Sequence, residues 1–377
     1  MKIIGLMSGT SLDGCDVALA EINENKYELI DYLLYPYTID FKNRIKKNLS
    51  DDTAKLSEIC SLNYEIPYVF KEAIDEILKK NNLKYSDIDY VASHGQTIWH
   101  NPKGLNGLVP STLQIGNGQI ISSLTGIPVI SNFRIADVVV GGEGAPLVPM
   151  FEYLFFKNES EDVVLQNLGG MGNLTYIPKN AKIEEVFAFD TGPANVIIDH
   201  FMNKYYNRNY DKNGEVALSG SVILPIIEKL ESDEFILRKP PKSTGREKYS
   251  YEALEEMSKE LEFDLYQKED IIATVTELTV RSMVYNYRTF IKNIDKIIVS
   301  GGGVHNDYIM NRLKEEFPNK VYALEDIGFN SDAKEAFAFA VLGYLSVTGK
   351  PGNVKTSTGA KYDMVLGEVT LAKIWRE

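Results

Sequence analysis

Two cysteines, Cys15 and Cys60, are all that 377 residues contain. Two thiols cannot build a disulfide framework or a four-cysteine zinc site. Four histidines, His94, His100, His200 and His305, are too few for a histidine-rich metal centre. The P-loop pattern G-x-x-x-x-G-K-[ST] is absent, and so are G-x-G-x-x-G, H-E-x-x-H, C-x-x-C and G-x-S-x-G. These gaps set aside the P-loop NTPases, the common dinucleotide-binding fingerprint, the commonest zinc hydrolases and the α/β-hydrolases. No apolar run reaches the roughly 18 residues of a membrane helix. Positive charge is in deficit, with 40 basic against 53 acidic residues and a formal net charge of −13. That balance argues against indiscriminate nucleic-acid binding, yet leaves room for a nucleotide held by backbone amides and a metal. The opening Met1-Lys2-Ile3-Ile4-Gly5-Leu6-Met7-Ser8 turns polar too soon for a signal peptide. The expectation is a cytoplasmic protein with neither membrane nor nucleic acid as a partner.

What is present is a globular composition, 44% hydrophobic and 25% charged. The length suits two domains of ordinary size or one large one. A short apolar run over residues 1–6 ends in a Gly/Ser/Thr turn, after which Cys15–Ile22 and Tyr27–Tyr35 read as strands. From Thr53 to Lys80 apolar residues recur at spacings of three and four, which predicts a helix. Asp51 or Asp52 is the candidate cap, and Pro67 is expected to kink the helix because it lacks a backbone donor. Ile88–Ser93 then reads as a buried strand tipped by His94-Gly95-Gln96-Thr97.

The second half repeats this grammar. Val163–Leu168 runs into Gly169-Gly170-Met171-Gly172-Asn173, and Glu185–Phe189 reads as a strand ending at Asp190. A long helix over about 268–293, a strand Lys296–Val299 tipped by Ser300-Gly301-Gly302-Gly303, and helices over Asp307–Phe317 and Ala333–Ser346 follow. A strand–glycine turn–strand unit thus occurs twice, which predicts a duplicated α/β fold with a cleft between its halves.

The chemistry-bearing residues cluster at these turns. In Ser8-Gly9-Thr10-Ser11-Leu12-Asp13-Gly14-Cys15-Asp16 the glycines and small hydroxyls let backbone amides approach phosphate oxygens. Asp13 and Asp16 repel phosphate but suit Mg²⁺ or its waters; the bland alternative is a plain hairpin turn with acidic solubilisers. Gly301, Gly302 and Gly303 permit a flat group, as an adenine or ribose would be, to lie against the backbone, or else mark a close helix–strand crossing. Asp190, in Phe189-Asp190-Thr191-Gly192-Pro193, is either a strand-end base or the N-cap of a helix starting at Pro193. Glu335 either begins the last helix as an exposed acid or faces the cleft. His94, Gln96, Arg134 and Asp137 offer donors and acceptors for a sugar, Arg134 as a carboxylate clamp. Their alternatives are a structural histidine and a surface Arg–Asp pair.

Read together, Gly5-Leu6-Met7-Ser8-Gly9-Thr10-Ser11-Leu12-Asp13-Gly14, His94-Gly95-Gln96-Thr97, Gln114-Ile115-Gly116 and Asn132-Phe133-Arg134 stand in order. Gly141-Gly142-Glu143-Gly144-Ala145-Pro146-Leu147-Val148-Pro149, Asn167-Leu168-Gly169-Gly170, Phe189-Asp190-Thr191-Gly192-Pro193, Pro241-Lys242-Ser243-Thr244-Gly245-Arg246-Glu247 and Ser300-Gly301-Gly302-Gly303 complete the set. From about residue 3 to 345 the chain closely resembles the anhydro-N-acetylmuramic acid kinase family, bacterial enzymes of cell-wall sugar recycling. The resemblance implies two duplicated actin/hexokinase-like (ribonuclease H-like) α/β domains flanking a nucleotide cleft, and a homodimer. The expected division is 1–136, with 363–377 packed back on it, and 137–362. The resemblance also implies ATP on Gly9, Thr10, Ser11, Leu12, Asp13, Gly14, Cys15 and Asp16 and on Gly169, Gly170, Gly192, Gly301, Gly302 and Gly303. It implies the sugar near His94, Gln96, Arg134 and Asp137, and Asp190 as catalytic base; Glu335 is a second catalytic candidate from its place on the last helix. Mg²⁺ is expected with Asp13 and Asp16. Ala194 departs from the family pattern, where glycine is common. No role carries over for the Lys242–Glu247 loop, whose basic residues are candidates to close over phosphates.

The implied substrate ties its O6 to its own C1, so it has no free hydroxyl there. Its ring must open as O6 is phosphorylated, giving N-acetylmuramic acid 6-phosphate and ADP. Two rivals stand beside this reading: an ordinary sugar kinase or phosphohydrolase of the same superfamily, and a non-enzymatic nucleotide switch resembling actin.

Overall fold

The computed structural model describes residues 1–9, 12–240, 242, 244 and 248–371, with the side chain of Asn106 set aside. The described chain divides into two compact units, 1–155 with 332–377 and 156–331.

The first unit is built on strands β1 (Lys2–Ser8), β2 (Gly14–Asn23), β3 (Lys26–Pro36), β4 (Tyr90–Asn101), β5 (Ser111–Ile115) and β6 (Val129–Ser131). The second holds β7 (Val163–Leu168), β8 (Met171–Ile177), β9 (Phe187–Pro193), β10 (Lys296–Ser300) and β11 (Val321–Ala323). A last strand, β12 (Glu368–Thr370), pairs antiparallel with β6. The first sheet runs β12-β6-β4-β1-β2-β3, with β5 on β4, and the second β11-β10-β7-β8-β9. In each, three consecutive strands form an antiparallel meander, and later strands join the far side of the first strand in parallel. The strand order β3-β2-β1-β4-β6 is therefore repeated as β9-β8-β7-β10-β11. The fold is a duplicated α/β fold, as the repeated strand–turn–strand grammar predicts, of the actin/hexokinase-like kind that the family resemblance implies. Parallel strands such as β1, β7 and β10 are largely buried on both faces and are mostly apolar.

The division differs from the expected boundary at 136/137. Residues 137–155 and the helix Lys334–Val347 belong to the first unit. The helix lies on β1 so closely that a Cβ on Gly5 would come within 1.9 Å of the Ala336 carbonyl. Asp137, fully buried, is bonded to Asn353 and Thr358 in the same unit. These contacts draw the late chain onto the first sheet, which sequence order alone does not reveal.

The predicted long helix spans Leu56–Lys80 and runs through Pro67 without a break. Its N-cap is Lys55, not Asp51 or Asp52. The missing Pro67 N–H leaves the carbonyl of Asn63, four residues earlier, without its helical partner. That carbonyl accepts the N–H of Asn117 at 3.2 Å, and the Asn63 side chain accepts the N–H of Gly116 at 2.9 Å. The proline thus ties the helix to the turn after β5. Strand β9 continues through Asp190 to Pro193, beyond the expected end, because its pairing with β8 extends to Met171 opposite Pro193.

Candidate active site

In the first unit the turn after β1 leads from Gly9 into β2. Thr10 and Ser11 lie outside the described residues. Leu12 is buried with φ +59°, and its N–H reaches the Gly9 carbonyl at 3.4 Å. Strand alternation then sends Cys15 into the apolar core and Asp16 to the other face. Burial pushes the Cys15 thiol well up, so the backbone of Cys15, not its sulfur, is what this turn has to offer. Asp13 is exposed, with Oδ1 2.8 Å from Lys42 Nζ.

Asp16 accepts from the Tyr32 hydroxyl at 2.5 Å. Burial, working against that hydrogen bond and joined by the charges of Glu335, Asp332 and Asp13, raises its pKa to about 6. Such a group of acids repels itself unless a cation joins it. Among the described residues no three His, Cys, Asp or Glu side chains form a cage of their own. Mg²⁺ keeps several waters and needs only one or two carboxylates beside phosphate oxygens, so Asp16 with Asp13 fits it. Glu335 is exposed in the first turn of the helix Lys334–Val347, where its charge reaches both Asp16 and Arg134.

The sugar candidates belong to one network. His94 Nδ1 bonds the Gly95 carbonyl at 2.8 Å, so that nitrogen carries the proton. Its Nε2 accepts from Arg134 Nε at 3.1 Å and Nη2 at 2.9 Å. Burial, then the Arg134 charge, hold His94 far below the usual imidazole range, so it is neutral. Burial also lowers Arg134 to about 10. Arg134 Nη1 donates to the Gly144 carbonyl at 2.7 Å. Two of its five N–H bonds remain for a ligand.

Gln96 Oε1 accepts from Ser8 Oγ at 2.6 Å, which ties Gln96 to the end of β1. Asp137 accepts from Gly144 N–H, Asn353 Nδ2 and Thr358 Oγ1, each at 2.8 Å, and is 0% exposed. Its carboxylate is occupied by the protein, so Asp137 fixes the Gly144 loop instead of meeting sugar hydroxyls.

A cavity of about 370 Å³ opens beside His94, lined among others by Asn63, Gln114, Asn117, Gln119 and Asn132. That volume suits a small ligand. Ser93 lines it as well, and its buried hydroxyl has no hydrogen-bond partner among the described residues. A polar ligand would supply one.

In the second unit, Gly169 and Gly170 form the tip between β7 and β8. Their carbonyls accept the N–H groups of Ala194, Asn195 and Val196, each at 3.0 Å, so the helix Asn195–Tyr206 starts against this tip. A Cβ on Gly169 or Gly170 would meet nothing nearer than 3.7 Å, and on Gly302 nothing nearer than 3.5 Å. The protein's own packing does not demand glycine there and leaves the backbone open to a close approach from outside. Gly301, Gly303 and Gly192 differ, since a Cβ on each would press against Leu168 or Ser282.

Asp190 lies in β9, five residues before the helix that it was a candidate to cap. Ala194 is that cap, without a side-chain bond. The Asp190 N–H donates to the Lys242 carbonyl at 3.1 Å, and Asp190 Oδ2 accepts from the Thr244 N–H at 2.8 Å. Sequence reasoning assigned no role to Lys242 or Thr244. The Pro241–Glu247 motif was the available signal. Pro241, Ser243, Gly245, Arg246 and Glu247 lie outside the described residues.

The sequence profile of the anhydro-N-acetylmuramic acid kinase family matches residues 1–372. The anhydro-N-acetylmuramic acid kinase of Clostridioides difficile (strain 630) is 42% identical over 378 residues, covering 98% of both chains. That of Bacillus thuringiensis subsp. konkukian (strain 97-27) is 42% identical over 380 residues, covering 98% of this chain and 99% of that one. Among solved structures, the activator of the 2-hydroxyisocaproyl-CoA dehydratase from Clostridium difficile with bound ADPNP aligns with a TM-score of 0.46 at 11% identity, over 93% of this chain and 96% of that one.

Proposed function

The chain belongs to the anhydro-N-acetylmuramic acid kinase family, and from that premise we propose which of its residues carry the reaction. It is an ATP-dependent kinase. It opens the 1,6-anhydro ring of 1,6-anhydro-N-acetylmuramic acid and phosphorylates O6, giving N-acetylmuramic acid 6-phosphate and ADP in peptidoglycan recycling. The observation that carries this is the family match over residues 1–372.

Asp190 is the base. Its carboxylate, oriented by the Thr244 N–H, takes a proton from water as that water's oxygen bonds to C1 of the sugar. The C1–O6 bond breaks, and O6 bonds to the γ-phosphorus as the bond to the β-phosphate oxygen breaks. The phosphoryl group thereby takes the place of the proton that a glycosidase's acid would deliver. Beyond the base, the protein's task is alignment and charge neutralisation. Arg134, fixed by His94 and Gly144, turns its remaining donors to the lactyl carboxylate. The Ser93–Asn117 cavity takes the sugar's polar groups. The backbone after β1 and the open glycines Gly169, Gly170 and Gly302 take the nucleotide. Asp16 and Asp13 hold Mg²⁺, which when bound neutralises phosphate charge. Glu335 acts from the same neighbourhood as Asp16 and Arg134.

The test is turnover in oxygen-18 water with mass analysis of the products. Label at C1 of the phosphorylated sugar supports this assignment. Label on inorganic phosphate with the sugar intact overturns it. A homodimer and a cytoplasmic setting belong to the same proposal, the former checked by light scattering on the eluting protein. Among the described residues no helix is long and apolar enough to cross a membrane.

A further inference from the structure

Lysines are rarely buried without a carboxylate partner. Lys242 is 4% exposed, and none of its hydrogen bonds among the described residues goes to an acid. Its ammonium donates to the carbonyls of Phe235 at 3.1 Å and Ile236 at 2.7 Å. Both belong to the four-residue helix Glu234–Leu237, whose C-cap N–H goes to the Glu234 carbonyl and leaves these two to other donors. Three aromatic rings surround the same nitrogen: Phe235 at 5.2 Å, Phe290 at 5.6 Å and Phe189 at 5.7 Å. Each is within range of a favourable cation–π contact. The three rings come from separate elements, namely the short helix, the end of the helix Lys268–Phe290, and β9 one residue before Asp190.

Strand β9 is at the edge of its sheet, so the Asp190 N–H has no strand on its outer side. The main chain of Lys242 fills that place with its carbonyl, and two residues on, the Thr244 N–H reaches the Asp190 carboxylate. We propose that Lys242 is a positioning residue for the base: its caged ammonium fastens the stretch of backbone that holds Asp190 at both its amide and its carboxylate. The inference rests on Asp190 being the base. The electrostatics agree with the geometry. Burial, then the Arg238 charge, lower Lys242 to about 8, while the charges of Asp190 and Asp233 oppose the fall. Lys242 therefore spends neutral pH as a cation beside the carboxylate, and that charge favours the ionised form a base requires.

The experiment compares Lys242→Met, which keeps the bulk without the charge, with Lys242→Arg, which keeps the charge. Both are assayed with ATP and 1,6-anhydro-N-acetylmuramic acid across pH, beside Asp190→Asn. Lys242→Met is expected to lower kcat about ten- to a hundredfold, with KM for both substrates within about twofold. The acid limb of its pH profile should move upward, since the carboxylate has lost a neighbouring cation. Lys242→Arg should keep the limb in place and recover part of kcat. Unchanged kcat and an unmoved limb in Lys242→Met overturn the inference, and so does a loss confined to KM. Should Lys242→Met not fold, Thr244→Pro decides, because it deletes the Thr244 N–H given to the carboxylate and leaves the cage alone. It should show the same fall in kcat, and normal turnover would refute the holding role. If Asp190→Asn itself turns over normally, the base assignment has failed instead. An inactive Asp190→Asn beside a normal Lys242→Met sinks only the positioning role.

Discussion

Arg134 gives two of its N–H groups to a single acceptor, Nε2 of His94, at 3.1 and 2.9 Å. His94 is buried and Arg134 half-buried, and the neutral imidazole serves as a rest for the guanidinium. Arg134→Ala should therefore do two things. Apparent sugar affinity should weaken about ten- to a hundredfold, the size of a lost charge-assisted hydrogen bond. Thermal stability should fall too, by about 1–3 kcal/mol, because His94 Nε2 and the Gly144 carbonyl lose their donor. An unchanged KM for the sugar would remove Arg134 from the clamp role.

Asp190→Asn is nearly isosteric and still accepts from the Thr244 N–H. We expect kcat to drop about a hundredfold or more, a typical general-base contribution. Binding of a non-hydrolysable ATP analogue, read by calorimetry, should stay close to that of the parent protein.

Much of the site was legible in the residues. The glycine turns were readable because apolar runs announce strands and glycines announce their tips, whereas His94 and Asp190, expected at strand ends, lie inside β4 and β9. Roles that depend on distant partners were not legible. Asp137 looks like a sugar acceptor until Asn353 and Thr358, more than 200 residues away, are seen to occupy it. Pro67 reads as a kink, yet the chain uses it to free a carbonyl for Asn117. The last helix joins the first sheet through a close approach at Gly5, and one sequence carries no mark of that pairing.

Glu152 and Lys334 form an ion pair at 2.8 Å while only 4% and 7% exposed. Removing one partner takes this counter-charge from the other. Glu152→Gln or Lys334→Met should each cost about 3–5 kcal/mol, whereas the double variant Glu152→Leu with Lys334→Met should lie near the parent protein. Urea denaturation with an unchanged m-value checks this. A double variant as unstable as the sum of the singles would contradict it.

The lowered pKa of Lys242 sets a pH dependence of stability. Its folded value of about 8 lies below the free value of 10.5. Between the two, the unfolded chain binds more protons than the folded one, so stability rises with pH across that window. Below pH 8 both states are protonated and the burial penalty is complete. Relative to Lys242→Met, the parent protein should gain up to about 3 kcal/mol between pH 8 and pH 10.5. Parallel denaturation curves for the two proteins would show no such divergence if Lys242 titrated normally.

The three donors around Asp137 also bear on shortened versions of the chain. Two of the three, Asn353 and Thr358, come from the last 25 residues. Trimming the carboxy-terminal tail before them would leave an interior anion with one donor, and the loop ending at Gly144, on which Arg134 leans, would lose its mooring. The tail is structural material for the sugar side of the enzyme, and a truncated protein should fail there first.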